Sequence, residues 1–146
     1  MVRESALSQQ PKFLKNKPLM GQVALVAGAT RGAGRGIARV LGQAGATVYC
    51  SGRSCGGIAA TPGRPETIEE TAELVTSGGG KGIPVRTDHT DEEQVKALIS
   101  RIREEQGRLD IVINGIWGGE GLNDWTKKFW ETDISAARTL IDRAVL

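Results

Sequence analysis

The 146-residue sequence predicts an α/β fold of the doubly wound class: a parallel sheet of about four strands in the order 3-2-1-4, with helices on both faces. Three observations lead there. Val23 to Ala27 is an apolar run too short for a helix, and it enters a turn carrying Gly28, Gly32, Gly34 and Gly36. Strand-like and helix-like stretches then alternate along the rest of the chain, which calls for crossover connections between parallel neighbours. The 20 glycines are about twice the usual share while the apolar fraction stays ordinary, which suggests many tight turns at a sheet rim rather than disorder.

Residues 1–20 lack periodicity and read as a flexible lead-in, with Leu19 and Met20 covering the base of the first strand. The domain proper runs over 21–146. After the glycine turn, Ile37, Val40, Leu41 and Ala44 fall on one helical stripe, and Gly45 marks that helix's end. Thr47 to Ser51 is β-branched and aromatic enough for a second strand, which Gly52 breaks. Ser54 to Pro65 is a long Gly/Pro/Ala loop that reads as mobile. Pro65 and Glu66, Glu69 and Glu70 suit the first turn of a second helix whose stripe is Ile68, Ala72 and Val75, stopped by Gly78-Gly79-Gly80.

Gly82 to Arg86 is a short third strand, and Pro84 within it predicts an edge position because proline removes a ladder donor. Thr90 and Glu93 are spaced as a capping box before a stripe of Val95, Leu98, Ile99 and Ile102, which ends before Gly107. Leu109 to Ile113 is the fourth strand. A loop with Trp117-Gly118-Gly119 follows, and then a last helix from about Phe129 to the terminus; Trp117, Trp125 and Trp130 read as packing anchors.

Net charge is +2, but residues 1–65 hold nine Lys/Arg against one acid, Glu4, while 66–146 hold ten Lys/Arg against sixteen acids. The glycine turn lies in the basic part, which favours an anionic ligand there. Dispersed basic residues and few aromatics argue against nucleic acid as the partner. One histidine and two cysteines, Cys50 and Cys55, supply no metal-ligand cluster, and the cysteines read as free thiols. No apolar run reaches the ~20 residues that span a bilayer, and the start lacks a signal-peptide core, so a cytoplasmic protein without membrane contact is expected.

Glycine tolerates positive φ and lets an anion approach the N–H groups at a helix's positive end. The spacing Gly28-x-x-x-Gly32-x-Gly34 differs from Gly-x-Gly-x-x-Gly, because Ile37 stands where a third glycine would follow Gly32-x-Gly34. It resembles the cofactor turn of the short-chain dehydrogenase/reductase family, although Ala27 replaces the threonine that usually precedes the first glycine. The resemblance covers about Leu19 to Leu146 and implies a Rossmann-type domain. It also implies hydride transfer between a nicotinamide dinucleotide and a carbonyl or alcohol carbon.

The resemblance assigns cofactor contacts to Gly28, Thr30, Arg31, Gly32 and Gly34 in the turn. The second strand ends Ser51-Gly52-Arg53 with no acid between Ser5 and Pro65 to take the ribose 2′-hydroxyl, so Arg53 and Arg31 favour NADP over NAD. Asp88 takes the family's adenine-binding place, with the backbone of the next residue, His89, assisting; the His89 ring reads as an exposed loop side chain without an orienting partner rather than a general base. Asn114 matches the first asparagine of the family's Asn-Asn-Ala-Gly segment, which ties the sheet together and passes under the cofactor, so structural and cofactor-binding work is expected of it; the second asparagine is replaced by Gly115. The family's catalytic Ser, Tyr and Lys have no counterpart: the one tyrosine, Tyr49, lies inside the second strand, Asp133 stands at the family's asparagine position, and the chain stops at Leu146. The expectation is therefore a truncated cofactor-binding half with no catalytic residue, whose small carbonyl or alcohol substrate would bind only in a completed protein. An uncovered fourth strand would drive homo-oligomers. The alternative is a non-catalytic nucleotide-binding or interaction module.

Overall fold

The computed structural model describes residues 16–61, 63–119, 121–122, 124 and 126–144, the last by its backbone only, so most of the lead-in, Trp125 and Leu146 lie outside the described residues. Strand β1 (Val23–Ala27) is buried at every position. It pairs in parallel with β2 (Thr47–Gly52) on one side and β4 (Ile111–Asn114) on the other, and β3 (Lys81–Arg86) lies outside β2. The sheet order is β3-β2-β1-β4, as the sequence predicts. Pro84 sits in the edge strand β3, opposite Cys50.

Helices α1 (Gly32–Gln43), α2 (Ile68–Ser77), α3 (Glu92–Gln106) and α4 (Ile134–Ala144) follow the strands in turn, a short 3-10 turn at Phe129–Glu131 preceding α4. Side chains alternate across a strand, so the sheet carries two cores. Ala24, Val26, Val48 and Cys50 meet Ala38 of α1 and Ala72 and Val75 of α2. Val23, Leu25 and Tyr49 meet Leu98 and Ile102 of α3 on the opposite face.

The first helix docks differently from its predicted stripe. Its buried residues are Gly34, Ala38 and Gly42, whereas Ile37 and Val40 are exposed. Small residues let the backbones approach: a Cβ on Gly42 would stand 2.7 Å from the Val75 carbonyl oxygen. Close approach outweighs the larger apolar side chains one position away.

Capping sets the starts of the other helices. Thr67 caps α2 in a reciprocal box with Glu70, which leaves Pro65 and Glu66 before the helix rather than in its first turn. Asp91, not Thr90, caps α3 by accepting from the Glu93 and Gln94 amides, and Gly107 closes it with φ 69°. The last helix begins at Ile134, after Asp133 accepts from the Ser135 amide at 2.8 Å. Strand β4 starts two residues late because the Asp110 carboxylate takes the Val23 N–H at 2.8 Å and is itself held by Arg108.

Leu19 packs on the core and donates its amide to the Ala44 carbonyl, but Met20 is exposed. Trp117 and Trp130 are also exposed, Trp130 edge-on to Phe129, so neither anchors the core. Cys50 and Cys55 are free, and burial pushes the Cys50 thiol up to about 12. Among the described residues, no helix is long and apolar enough to cross a membrane and no cluster of ligating side chains could hold a metal.

Candidate functional site

At the carboxyl edge of the sheet, a cleft of about 400 Å³ opens between the ends of β1 and β4, where the winding reverses. Gly28, Thr30, Arg31, Gly32 and Gly34 form its floor. Gly28 has φ 78°, and a Cβ there would collide with the Gly115 carbonyl; one on Gly34 would collide with the Gly28 carbonyl. The turn is thus locked against β4 and α1 by the absence of side chains. Gly32 is different: its φ is 55° and a Cβ would meet nothing within 4 Å, so open space faces the start of α1. That helix has no side-chain cap at Arg31 and no acid in its first turn, which leaves its positive end available to an anion.

Thr71 donates its hydroxyl to the Ala29 carbonyl at 2.9 Å, tying the turn to α2. Thr30, only 8% exposed, fills the space beside Gly52, where a Cβ would stand 2.6 Å from its Oγ1. An acid at the end of β2 is therefore excluded by packing as well as missing from the sequence. Arg53, the next residue, lines the cleft.

Asp88 and His89 form the wall beyond β3. Burial pushes the Asp88 carboxyl up, but hydrogen bonds from the Thr90 hydroxyl and amide, together with the Arg53 charge, outweigh it and hold the group below its ordinary value. His89 is not the exposed, unpartnered ring read from the sequence. Its Nε2 lies 3.0 Å from the hydroxyl of fully buried Ser51, and burial lowers its pKa against a smaller opposing pull from Asp88. Ser51 stands 38 residues away, so no local pattern announces the pair.

Asn114 ends β4 opposite Ala27, and its side chain accepts the Ile116 amide at 3.3 Å. It shapes the turn, while Gly115 to Gly118 supply the cleft wall. Tyr49 is fully buried away from this edge, donating to Glu105 at 2.7 Å and accepting from Gln106 at 3.0 Å.

Sequence reasoning missed the loop after β2. Ser54, Thr61 and Arg64 line the cleft, and so does Arg143 of α4, whose guanidinium donates to the Gly118 carbonyl at 3.1 Å. The loop's described residues are tied down. Its base closes through the Ile68 amide to Ser54 carbonyl bond, Cys55 and Ile58 exchange backbone bonds, and Ser54 Oγ accepts the Ala60 amide. Arg31 donates to Thr61 Oγ1 at 3.1 Å, and Glu66 lies 3.7 Å from Arg31 and 2.9 Å from Arg64. The Arg64 guanidinium holds the Glu66 carboxyl down to about 2. An arginine inside a Gly/Pro loop beside a basic turn was the one available signal.

Known proteins share this fold. Residues 22–145 match the family model described as short chain dehydrogenase. The chain is 42% identical over 121 residues to dehydrogenase/reductase SDR family member 1 of Mus musculus, an alignment covering 81% of this chain and 36% of that protein. It therefore spans about a third of that relative's length. A candidate dehydrogenase from Xanthomonas campestris superposes with a TM-score of 0.69 at 27% identity, covering 85% of this chain and 43% of that one. The NADH-dependent reductase A1-R′, solved in complex with NAD, shares the fold with a TM-score of 0.64 at 24% identity, covering 87% of this chain and 47% of its own. With the glycine-locked turn, the strand order and the family match in agreement, this chain belongs to the short chain dehydrogenase family.

Proposed function

We propose that this chain is the NADP-binding part of an oxidoreductase that moves a hydride between the nicotinamide and a carbonyl or alcohol carbon. The observation that carries the cofactor preference is the end of β2. Thr30 occupies the space where a ribose-binding acid would project from Gly52, and Arg53 follows directly. A guanidinium there grips a 2′-phosphate with charge-assisted hydrogen bonds, whereas a bare 2′-hydroxyl offers it little.

The residues present fit a dinucleotide. Gly32, Ala33 and Gly34 present the uncapped start of α1 to a pyrophosphate, and Asp88 borders the adenine end. When bound, the cofactor supplies the hydride chemistry. Tyr49, buried in β2 with its hydroxyl on Glu105, is in no position to pass a proton to a substrate in the cleft. A polypeptide of these 146 residues accordingly binds the dinucleotide without turning over a carbonyl substrate. A second reading, a nucleotide-binding module without chemistry of its own, draws on that same placement of Tyr49.

Trp117, half exposed at the cleft, gives a fluorescence readout for titration with NADPH and NADH. NADPH should bind at least about tenfold more tightly at low salt, since a charge-assisted contact contributes about 1.5–3 kcal/mol. The gap should narrow as salt rises and screens the contact. Equal affinities at low salt would contradict the NADP reading.

A further inference from the structure

The loop between β2 and α2 places a second pair of charges beside the cofactor cleft. Glu66, just ahead of the α2 cap Thr67, lies between two arginines that both line the cleft: Arg64, bonded through its Nη2 at 2.9 Å and its Nε at 3.3 Å, and Arg31 at 3.7 Å. Thr61 accepts from Arg31 at 3.1 Å, which leaves its hydroxyl hydrogen free to turn toward a ligand oxygen. Arg53, on the end of β2, completes the cationic wall. Glu66 itself lies outside the cleft lining, and its carboxylate engages two guanidiniums that an anion in the cleft would also attract.

We propose that Thr61 and Arg64 extend the 2′-phosphate subsite of Arg31 and Arg53, and that Glu66 is a built-in competitor whose carboxylate the cofactor's phosphate displaces. This inference rests on the NADP reading. A phosphomonoester carries about −1.5 to −2 charge near neutral pH and three acceptor oxygens, against one charge and two oxygens for a carboxylate. It therefore recruits Arg64 and Arg31 away from Glu66 at a net gain. NADH carries no group to exchange and leaves the Glu66 contacts in place. Glu66 thus sets how far the protein separates the two dinucleotides: breaking its ion pairs subtracts from NADPH affinity alone.

The test measures dissociation constants for NADPH and NADH on the wild-type chain and on Glu66→Gln and Arg64→Gln. Glu66 and Arg64 lie on the surface loop, away from both cores, and the NADH affinity of each variant reports that the site is intact. Exposed ion pairs contribute modestly, so Glu66→Gln should tighten NADPH by about 2- to 5-fold, and Arg64→Gln should weaken it by a similar factor, with NADH unchanged in both. Parallel changes for NADPH and NADH would overturn the inference, because they would show that Glu66 only orders the loop. A wild type that prefers NADPH, with both variants leaving the preference unchanged, would also overturn it while sparing the NADP reading. A wild type with no preference would overturn both together.

Discussion

Valine in place of Gly28 is expected to cost this protein much of its stability along with its nucleotide binding. The backbone at Gly28 has φ 78°, and a side chain there would press on the carbonyl of Gly115 and the amide nitrogen of Ile116. Left-handed backbone costs an L-residue about 1–2 kcal/mol, more when β-branched, and overpacking a tight contact adds about 1–3 kcal/mol. Against a typical total of about 5–15 kcal/mol, the sum lowers the melting temperature by about 10 °C or more. Gly32→Ala is the contrasting substitution. Its Cβ meets nothing within 4 Å, so only the conformational cost of φ 55° applies to folding, yet the methyl projects into the space facing the start of α1. It should melt within a few degrees of wild type and lose most of its dinucleotide affinity. Thermal melts beside NADPH titrations separate the two effects. A Gly28→Val protein with wild-type melting and binding would refute the lock between β1 and β4.

Arg53→Asp should invert the cofactor preference. The substitution removes a charge-assisted contact of about 1.5–3 kcal/mol and places a carboxylate where the 2′-phosphate would lie. NADPH affinity should fall by about 10- to 100-fold or more. NADH affinity should hold or improve, because the new acid accepts from the ribose hydroxyls. The Asp88 carboxyl, partly held down by Arg53, should rise toward its ordinary value in the same variant. Titrating both dinucleotides checks the ratio. An unchanged ratio would mean that Arg31 and Arg64 read the phosphate without Arg53.

The central features of this fold are local in sequence, which is why they were legible. An apolar run of strand length, glycines immediately after it and helical stripes between turn signals mark β1 and the turn locally, and the sheet order then follows from the topology rules for strands alternating with helices. The docking face of α1 was not legible in that way. Hydrophobicity points to Ile37 and Val40, but the helix docks through Gly34, Ala38 and Gly42, where backbone approach decides the contact. Capping at Asp91 rather than Thr90 is a competition between neighbours that depends on where each side chain lands; Thr90 is already bound to Asp88. In the site, Arg31, Arg53 and Asp88 could be placed because each follows a strand or precedes a helix. The Ser51 partner of His89 and the Arg31 contact to Thr61 join residues 38 and 30 positions apart, beyond the reach of any local pattern.

In the proposed complex the dinucleotide lies across the carboxyl edge of the sheet, from Arg53 past the start of α1 toward Gly115. Backbone amide chemical shifts, followed by NMR as NADPH is added to the 146-residue chain, test this most directly. The largest changes should fall on Gly28 to Gly34, on Arg53 and Ser54, on Asp88 and His89, and on Gly115 to Gly118. Changes confined to α2, α3 or the outer face of β4, or no changes at saturating NADPH, would contradict it.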